Sequence, residues 1–358
     1  MKANDKLNSV HCMRFVAALA VVVHHVTTGL GNQHVLVGAA GVDVFFVISG
    51  IVIGLALIKH ESAGQFATKR IIRVLPMYWL ATAVYAFFRY HTWGEPQPLD
   101  LLWRSFLLIP HFGSNWHVIY FPAWTLMYEM LFYAVATAAL IAYRQQAFVV
   151  CMVLFGAIGL LRIPVPSSPT DAIFSTGICL EFCAGMAIAQ LVARGKRVPP
   201  TVGALCVIAG IALLWTYQSA VLIIQEDPHA FHLARPLELG VGATLLLLGA
   251  LSFERARIFE NRWLQLGGAA SYSIYLTHII TLDFTGVHLD QWGMPAKAHP
   301  VFMSCVLIVE SLAVGVAIHK LIEVPVLDWL KRACLPSRRN DEPHVSVSLS
   351  AGPAKPSQ

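Results

Sequence analysis

Arg14 and His25 stand eleven residues apart on the first strongly apolar stretch, Met13 to Val26. At the helical turn angle they return to within about 20° of one direction, so a helix carries both on one face, about 16 Å apart along its axis. That rise is roughly half of a bilayer's hydrocarbon core. A fixed cation and a titratable imidazole are costly to hold inside a membrane, and such residues mark functional sites by default. An imidazole with an ordinary pKa near neutrality can take a proton from a hydroxyl and pass it on. His24 points about 80° away from that line and is the weaker candidate.

Other ionisable residues extend this pattern. Asp43 follows on the next apolar run, at a depth similar to His25, where a carboxylate could fix an imidazole's tautomer and raise its basicity; the plainer reading is a cap or structural pair. Glu129, in the stretch from Trp124 to Glu129, lies about one and a half turns into its run and must be paired, protonated or facing water. Ser271, Tyr275 and His278 recur at helical spacing and give a later run one polar stripe, which alone is often only packing. Lys69, Arg70 and Arg73 precede Pro76, Tyr78 and Trp79. Basic residues are expected at an inner membrane boundary, but Arg70 and Arg73 share a helix face and could clamp phosphate oxygens.

The elements that must position these groups follow from composition. Hydrophobic residues make up 57% of the 358 and charged residues only 13%, about half the share of a soluble domain. Mean hydropathy is +0.64. The chain reads as an all-α polytopic membrane protein. Apolar runs fall at about 10–28, 38–58, 74–90, 123–143, 147–163, 173–193, 201–219, 235–253, 268–284 and 300–320, giving ten expected transmembrane helices. Gly50 and Gly54 have the spacing of a close helix contact. The two histidines and the lack of a small-residue cleavage site make the first run an uncleaved span.

With the N-terminus inside, 19 of the 25 lysines and arginines fall on inner segments; Arg89, Arg104, Arg162, Arg235 and Lys297 fall outside. That bias predicts both termini on the cytoplasmic side. His25, Asp43, Glu129 and His278 then form an outer polar layer, and Arg14, Lys69, Arg70, Arg73 and Glu323 an inner one. Residues 1–332 read as one membrane domain and 333–358 as a disordered cytoplasmic tail. The outer connection 91–122 holds His91, Trp93, Trp103, His111, Trp116, His117 and Tyr120, with a surface helix expected over 99–109. It reads as an interfacial aromatic belt or as a platform for sugar rings.

The seven cysteines lack zinc-type spacing and read as buried thiols, and no HExxH or comparable metal-ligand pattern occurs. The basic residues make no continuous stripe, so nucleic acid is not an expected partner.

In order along the chain, these residues resemble the bacterial membrane acyltransferase 3 family. Its R/K-x10-H signature appears as Arg14 and His25. A G-x-D-x-F-F-x-x-S-G stretch runs from Gly41 through Asp43, Phe45, Phe46 and Ser49 to Gly50. The basic stretch before Pro-x-Tyr runs from Lys69 through Arg70 and Arg73 to Pro76 and Tyr78. A W-[ST]-L-x-x-E-x-x-F-Y element spans Trp124, Glu129, Phe132 and Tyr133, and Ser271 to His278 and Glu323 to Pro325 complete the set. The resemblance covers roughly residues 8–330, and the six elements together are far more specific than any one.

The resemblance implies a multi-pass protein of the bacterial inner membrane that transfers an acetyl or other short acyl group. The donor would be cytoplasmic acetyl-CoA or another acyl-CoA, without a metal. The acceptor would be a hydroxyl of an exported polysaccharide or lipid-linked oligosaccharide, with export machinery as a conceivable partner. It implies catalytic roles for His25, Asp43, Glu129 and His278, and donor binding by Arg14, Lys69, Arg70, Arg73 and Tyr78. Asp43 would orient His25, and Glu129 and His278 would line the acceptor side. Direct transfer and an acyl-histidine relay both fit. The rival is a transporter or flippase for a polysaccharide precursor, although no internal repeat of the transporter kind is evident.

Overall fold

The computed structural model describes residues 7–31, 36–109, 118–161, 177–224, 236–294 and 296–335. Every regular element among them is helical. In chain order these are α1 (Asn8–Gly29), α2 (Ala40–Ile58), α3 (Ala63–Trp93), α4 (Leu99–Leu107), α5 (Ala123–Tyr143), α6 (Ala147–Leu160), α7 (Ile178–Ala193) and α8 (Pro200–Ile224). A π-helical turn, Pro236–Gly240, leads into α9 (Val241–Ser252), followed by α10 (Arg262–Gln291) and α11 (Pro300–Ile318). A second π turn, His319–Glu323, continues into α12 (Val324–Cys334).

Each of the ten apolar windows overlaps a helix over nearly all of its described part; residues 162–163, 173–176 and 235 lie outside the described residues. Among the described residues, five helical segments are long and apolar enough to cross a membrane: α1, α2, α3, α5 and the continuous run Pro300–Cys334. Four more, in α6, α7, α8 and α9, are apolar but shorter. Helix α10 belongs to neither group, because Ser271, Tyr275, Thr277, His278, Thr281 and Asp283 interrupt its apolar surface. Of the expected tail, residues 336–358 lie outside the described residues, and 333 and 334 belong to α12.

Local chemistry sets several helix ends. Ser62 Oγ accepts from Gln65 N at 3.4 Å at the start of α3, and Gly94 closes that helix at φ 65°. That left-handed conformation carries no steric penalty in glycine. Asn261 Oδ1 accepts from Trp263 N at 2.9 Å and Leu264 N at 3.3 Å to open α10. The start of α1 lacks a local cap and draws one from far along the chain. Glu254 accepts from Asn8 N at 2.6 Å, from Ser9 N at 3.1 Å, and from the Ser9 hydroxyl.

Helix α1 sits among α2, α9, α10 and α11. Helices α2 and α7 make the most intimate pair. A Cβ on Gly50 would stand 2.2 Å from Phe182 O, and one on Gly185 would stand 2.0 Å from Val47 O. Gly54 follows one turn on, against Ala189 and Met186, so the small-residue spacing read in the sequence is the α2–α7 contact. Beside it, Phe132 stacks on Phe182 at 4.2 Å between ring centroids. This rigid block fixes α2 and α5, which carry one wall of the site.

The expected surface helix is α4. Leu99, Trp103 and Leu107 are exposed, while Ser105 is buried. The buried Tyr78 hydroxyl donates to Ser105 O at 2.5 Å, and exposed Trp79 Nε1 donates to Phe106 O at 2.8 Å, so α3 anchors this helix. His111, Trp116 and His117 lie outside the described residues.

Candidate active site

Helices α1, α2, α3, α5 and α10 enclose a cavity of about 110 Å³. Arg14 reaches it from α1, and Arg70 and Arg73 from successive turns of α3. Glu129 and Tyr133 reach it from α5, and Phe45 and Ser49 from α2. Arg14 and Arg73 make no hydrogen bond or ion pair with any described residue. The Arg70 guanidinium lies 5.2 Å from the Phe66 ring centroid and 5.9 Å from that of Tyr133, and its buried Nε has no acceptor among the described residues.

Among the described residues one carboxylate lines the cavity, and it is already engaged. Glu129 Oε1 accepts from the Tyr133 hydroxyl and, at 3.4 Å, from Ser49 Oγ. Three guanidiniums therefore face one carboxylate, a surplus of positive charge in a mostly apolar chamber. Partly buried cations without partners are unfavourable alone and become favourable against an anion offering several oxygens. Such a chamber suits an anionic group.

The second cluster joins α1 to α10. His25 Nδ1 lies 2.9 Å from Val21 O and 3.3 Å from His278 Nε2. His278 Nδ1 lies 2.6 Å from Tyr275 O. A carbonyl oxygen can only accept, so these partners assign the proton of each neutral ring to Nδ1. His278 Nε2 then presents a lone pair to the His25 N–H, and His25 keeps its own lone pair on Nε2. The first histidine is thus held as a base by a carbonyl and a second imidazole.

Asp43 is fully buried one turn into α2. The sequence places its carboxylate as the orienting partner of His25; the groups found at His25 Nδ1 are Val21 O and His278. The reason is the rotamer, in which the imidazole folds back on the preceding turn of its own helix.

A thin aromatic wall separates the two clusters. Phe45 and Tyr275 line the arginine cavity and meet edge-on with centroids 6.0 Å apart. The other side of Tyr275 lies 5.8 Å from the His278 ring. Its hydroxyl is held by Thr125 Oγ1 at 2.9 Å and donates to Pro122 O at 3.2 Å. The line from Arg14 to His25 therefore runs past this wall, with a cation on one side and a base on the other.

Two sequence candidates lie elsewhere. Lys69 pairs with Glu61, which precedes α3, and is largely exposed. Tyr78 faces α4 and anchors Ser105. Glu129, expected on the acceptor side, shares the chamber with the arginines. Glu323 serves a structural network: its Oε2 accepts from Ser273 Oγ at 2.6 Å and lies 2.8 Å from His319 Nδ1. Phe45, Ser49, Tyr133 and Tyr275 stood inside the sequence motifs without assigned roles; the alternation of aromatic and hydroxyl groups there was their only signal.

The cavity, the histidine pair and the helices that carry them all fall within one matched region. A family model described as an acyltransferase domain covers residues 7–320 of this chain. The chain belongs to the acyltransferase 3 family. Among its relatives, it is 32% identical over 311 residues to the exopolysaccharide production protein ExoZ of Rhizobium meliloti (strain 1021), covering 83% of this chain and 92% of that one. It is 26% identical over 323 residues to the peptidoglycan O-acetyltransferase OatA of Listeria monocytogenes, covering 79% of this chain and 51% of that longer one. No solved structure matches it. The protein is accordingly an acyltransferase, and its family does not favour the transporter reading.

Proposed function

We propose that this acyltransferase moves an acetyl or other short acyl group from acyl-CoA on the cytoplasmic side to a hydroxyl of an exported or surface polysaccharide. The observation that carries the reading is the arginine chamber set one aromatic layer from a histidine that keeps its lone pair on Nε2. The names of the two relatives, one of exopolysaccharide production and one of peptidoglycan O-acetylation, support a carbohydrate acceptor. In this reading the ten apolar helices span the inner membrane with both termini inside, as the charge bias suggests.

Arg14, Arg70 and Arg73 hold anionic oxygens of the donor, and Glu129, held by Tyr133 and Ser49, keeps the three cations apart. His25 Nε2 takes the proton of the acceptor hydroxyl as its oxygen bonds to the thioester carbonyl carbon. The C–S bond breaks, and the proton passes from His25 to the departing thiolate. His278 and Val21 O hold the His25 Nδ1–H and stabilise the imidazolium formed on the way. Asp43 stays a buried contributor to the field around α1 and α2, and Lys69 and Tyr78 act outside the donor site.

The deciding experiment gives membranes carrying the full chain labelled acetyl-CoA and candidate polysaccharides. Label should reach polymer with wild type and with His24→Ala, and fall to background with His25→Ala. Undiminished transfer by His25→Ala would overturn the reading.

A further inference from the structure

A second and larger hollow lies apart from the arginine chamber and shares no residue with it. It has a volume of about 830 Å³, within the range of small-molecule sites. Its floor is aliphatic, with Ile188 and Leu191 of α7 and Leu248 and Leu251 of α9. Its rim carries Lys196, Arg197 and Arg255. No side chain of these three makes a hydrogen bond or ion pair with a described residue, and all three are exposed. Among the described residues, the only acid in the lining is Glu254, whose two oxygens cap α1.

The chemistry is layered. Ile188 is five residues from the end of α7, about 8 Å below the rim along the helix axis. An occupant must therefore be anionic at the top and hydrocarbon within that distance. A soluble phosphate ester leaves the aliphatic floor wet, and a neutral lipid leaves three cations without counter-charge. All three cations fall on the inner side of the charge bias, where anionic lipids meet basic residues.

We infer that this groove is a binding site for an anionic phospholipid of the inner leaflet, its phosphate among Lys196, Arg197 and Arg255 and its chain against Ile188, Leu191, Leu248 and Leu251. The inference rests on the proposed orientation and not on the transfer reaction. Through Glu254, the bound lipid neighbours the capped end of the helix that carries Arg14 and His25.

Purified full-length protein, equilibrated with equal phosphatidylglycerol and phosphatidylcholine, is released from detergent for native mass spectrometry. Wild type should retain phosphatidylglycerol preferentially. The variant K196Q/R197Q/R255Q should lose that preference by about fivefold per cation. Leu248→Trp fills the floor and should reduce retention with all cations present. Arg255→Gln alone, on an exposed turn, preserves the test if the triple variant does not fold. Equal retention of the two lipids by wild type overturns the inference, as does an unchanged preference in the cation variants. Displacement of phosphatidylglycerol by excess CoA also overturns it, because the cations would then serve a nucleotide.

Discussion

His278 Nε2 lies 3.3 Å from His25 Nδ1, although the two residues are 253 positions apart. The contact puts a second imidazole where a carboxylate commonly supports a catalytic histidine. It ties His25 on α1 to the polar stripe of α10 and leaves the His25 Nε2 lone pair free of this contact.

The two histidines should therefore differ in kind. His25→Ala should lower kcat by about 10²–10⁴-fold, the usual range for a general base. His278→Ala should lower kcat by about tenfold, because Val21 O still holds the His25 ring. Its KM for acyl-CoA should be unchanged. His278→Gln, whose amide oxygen can accept the same N–H, should recover part of the loss. A KM effect in place of a kcat effect would assign His278 to donor binding.

Arg14→Gln and Arg73→Gln should each raise the KM for acyl-CoA by about 10–100-fold, the worth of one charge-assisted contact. The same variants should melt higher than wild type in the absence of donor, since each removes a partly buried cation without a partner. CoA should raise the melting temperature of wild type more than that of either variant. Thermal melts with and without CoA separate a ligand-binding cation from a structural one, which would lower stability when removed.

Lys69→Gln should leave the KM for acyl-CoA at the wild-type value and stability within about 0.5 kcal/mol, as expected of an exposed ion pair. Tyr78→Phe should cost about 1 kcal/mol of stability through the lost bond to Ser105 O, also without a donor effect. Kinetics in acyl-CoA check both, and a raised KM in either would return that residue to the donor site.

Gly185→Ala should destabilise the fold by about 1–3 kcal/mol, because its new methyl meets the α2 backbone at Val47 O. Gly156, where an added Cβ meets nothing, should accept alanine. Comparing the two by thermal melting isolates the close α2–α7 approach from general helix propensity.

The helices were legible because long apolar runs announce themselves one by one. Helix α10 shows the limit of that signal: its polar stripe dilutes its hydropathy, and that stripe faces the site. Arg70 and Arg73 could be read from their shared helix face. Lys69 could not be separated from them, because its partner Glu61 arrives by the path of the preceding turn. Tyr78 looked like a site residue because it shares a motif with the arginines, yet it turns toward α4, whose docking no local pattern encodes. The partner of His25 was missed for a similar reason. Asp43 is near in sequence and depth, whereas the rotamer of His25 and the approach of α10 decide the contact.

The cap that Glu254 supplies to α1 has a consequence for the order of assembly. Helix α1 precedes by about 245 residues the group that satisfies its leading N–H donors. Its neighbours α10 and α11 arrive later still. Until then α1 can insert but cannot finish, and the base and the cation it carries are not yet set opposite their partners. A chain cut before Glu254 therefore leaves the leading N–H groups of α1 without the cap they have in the full chain.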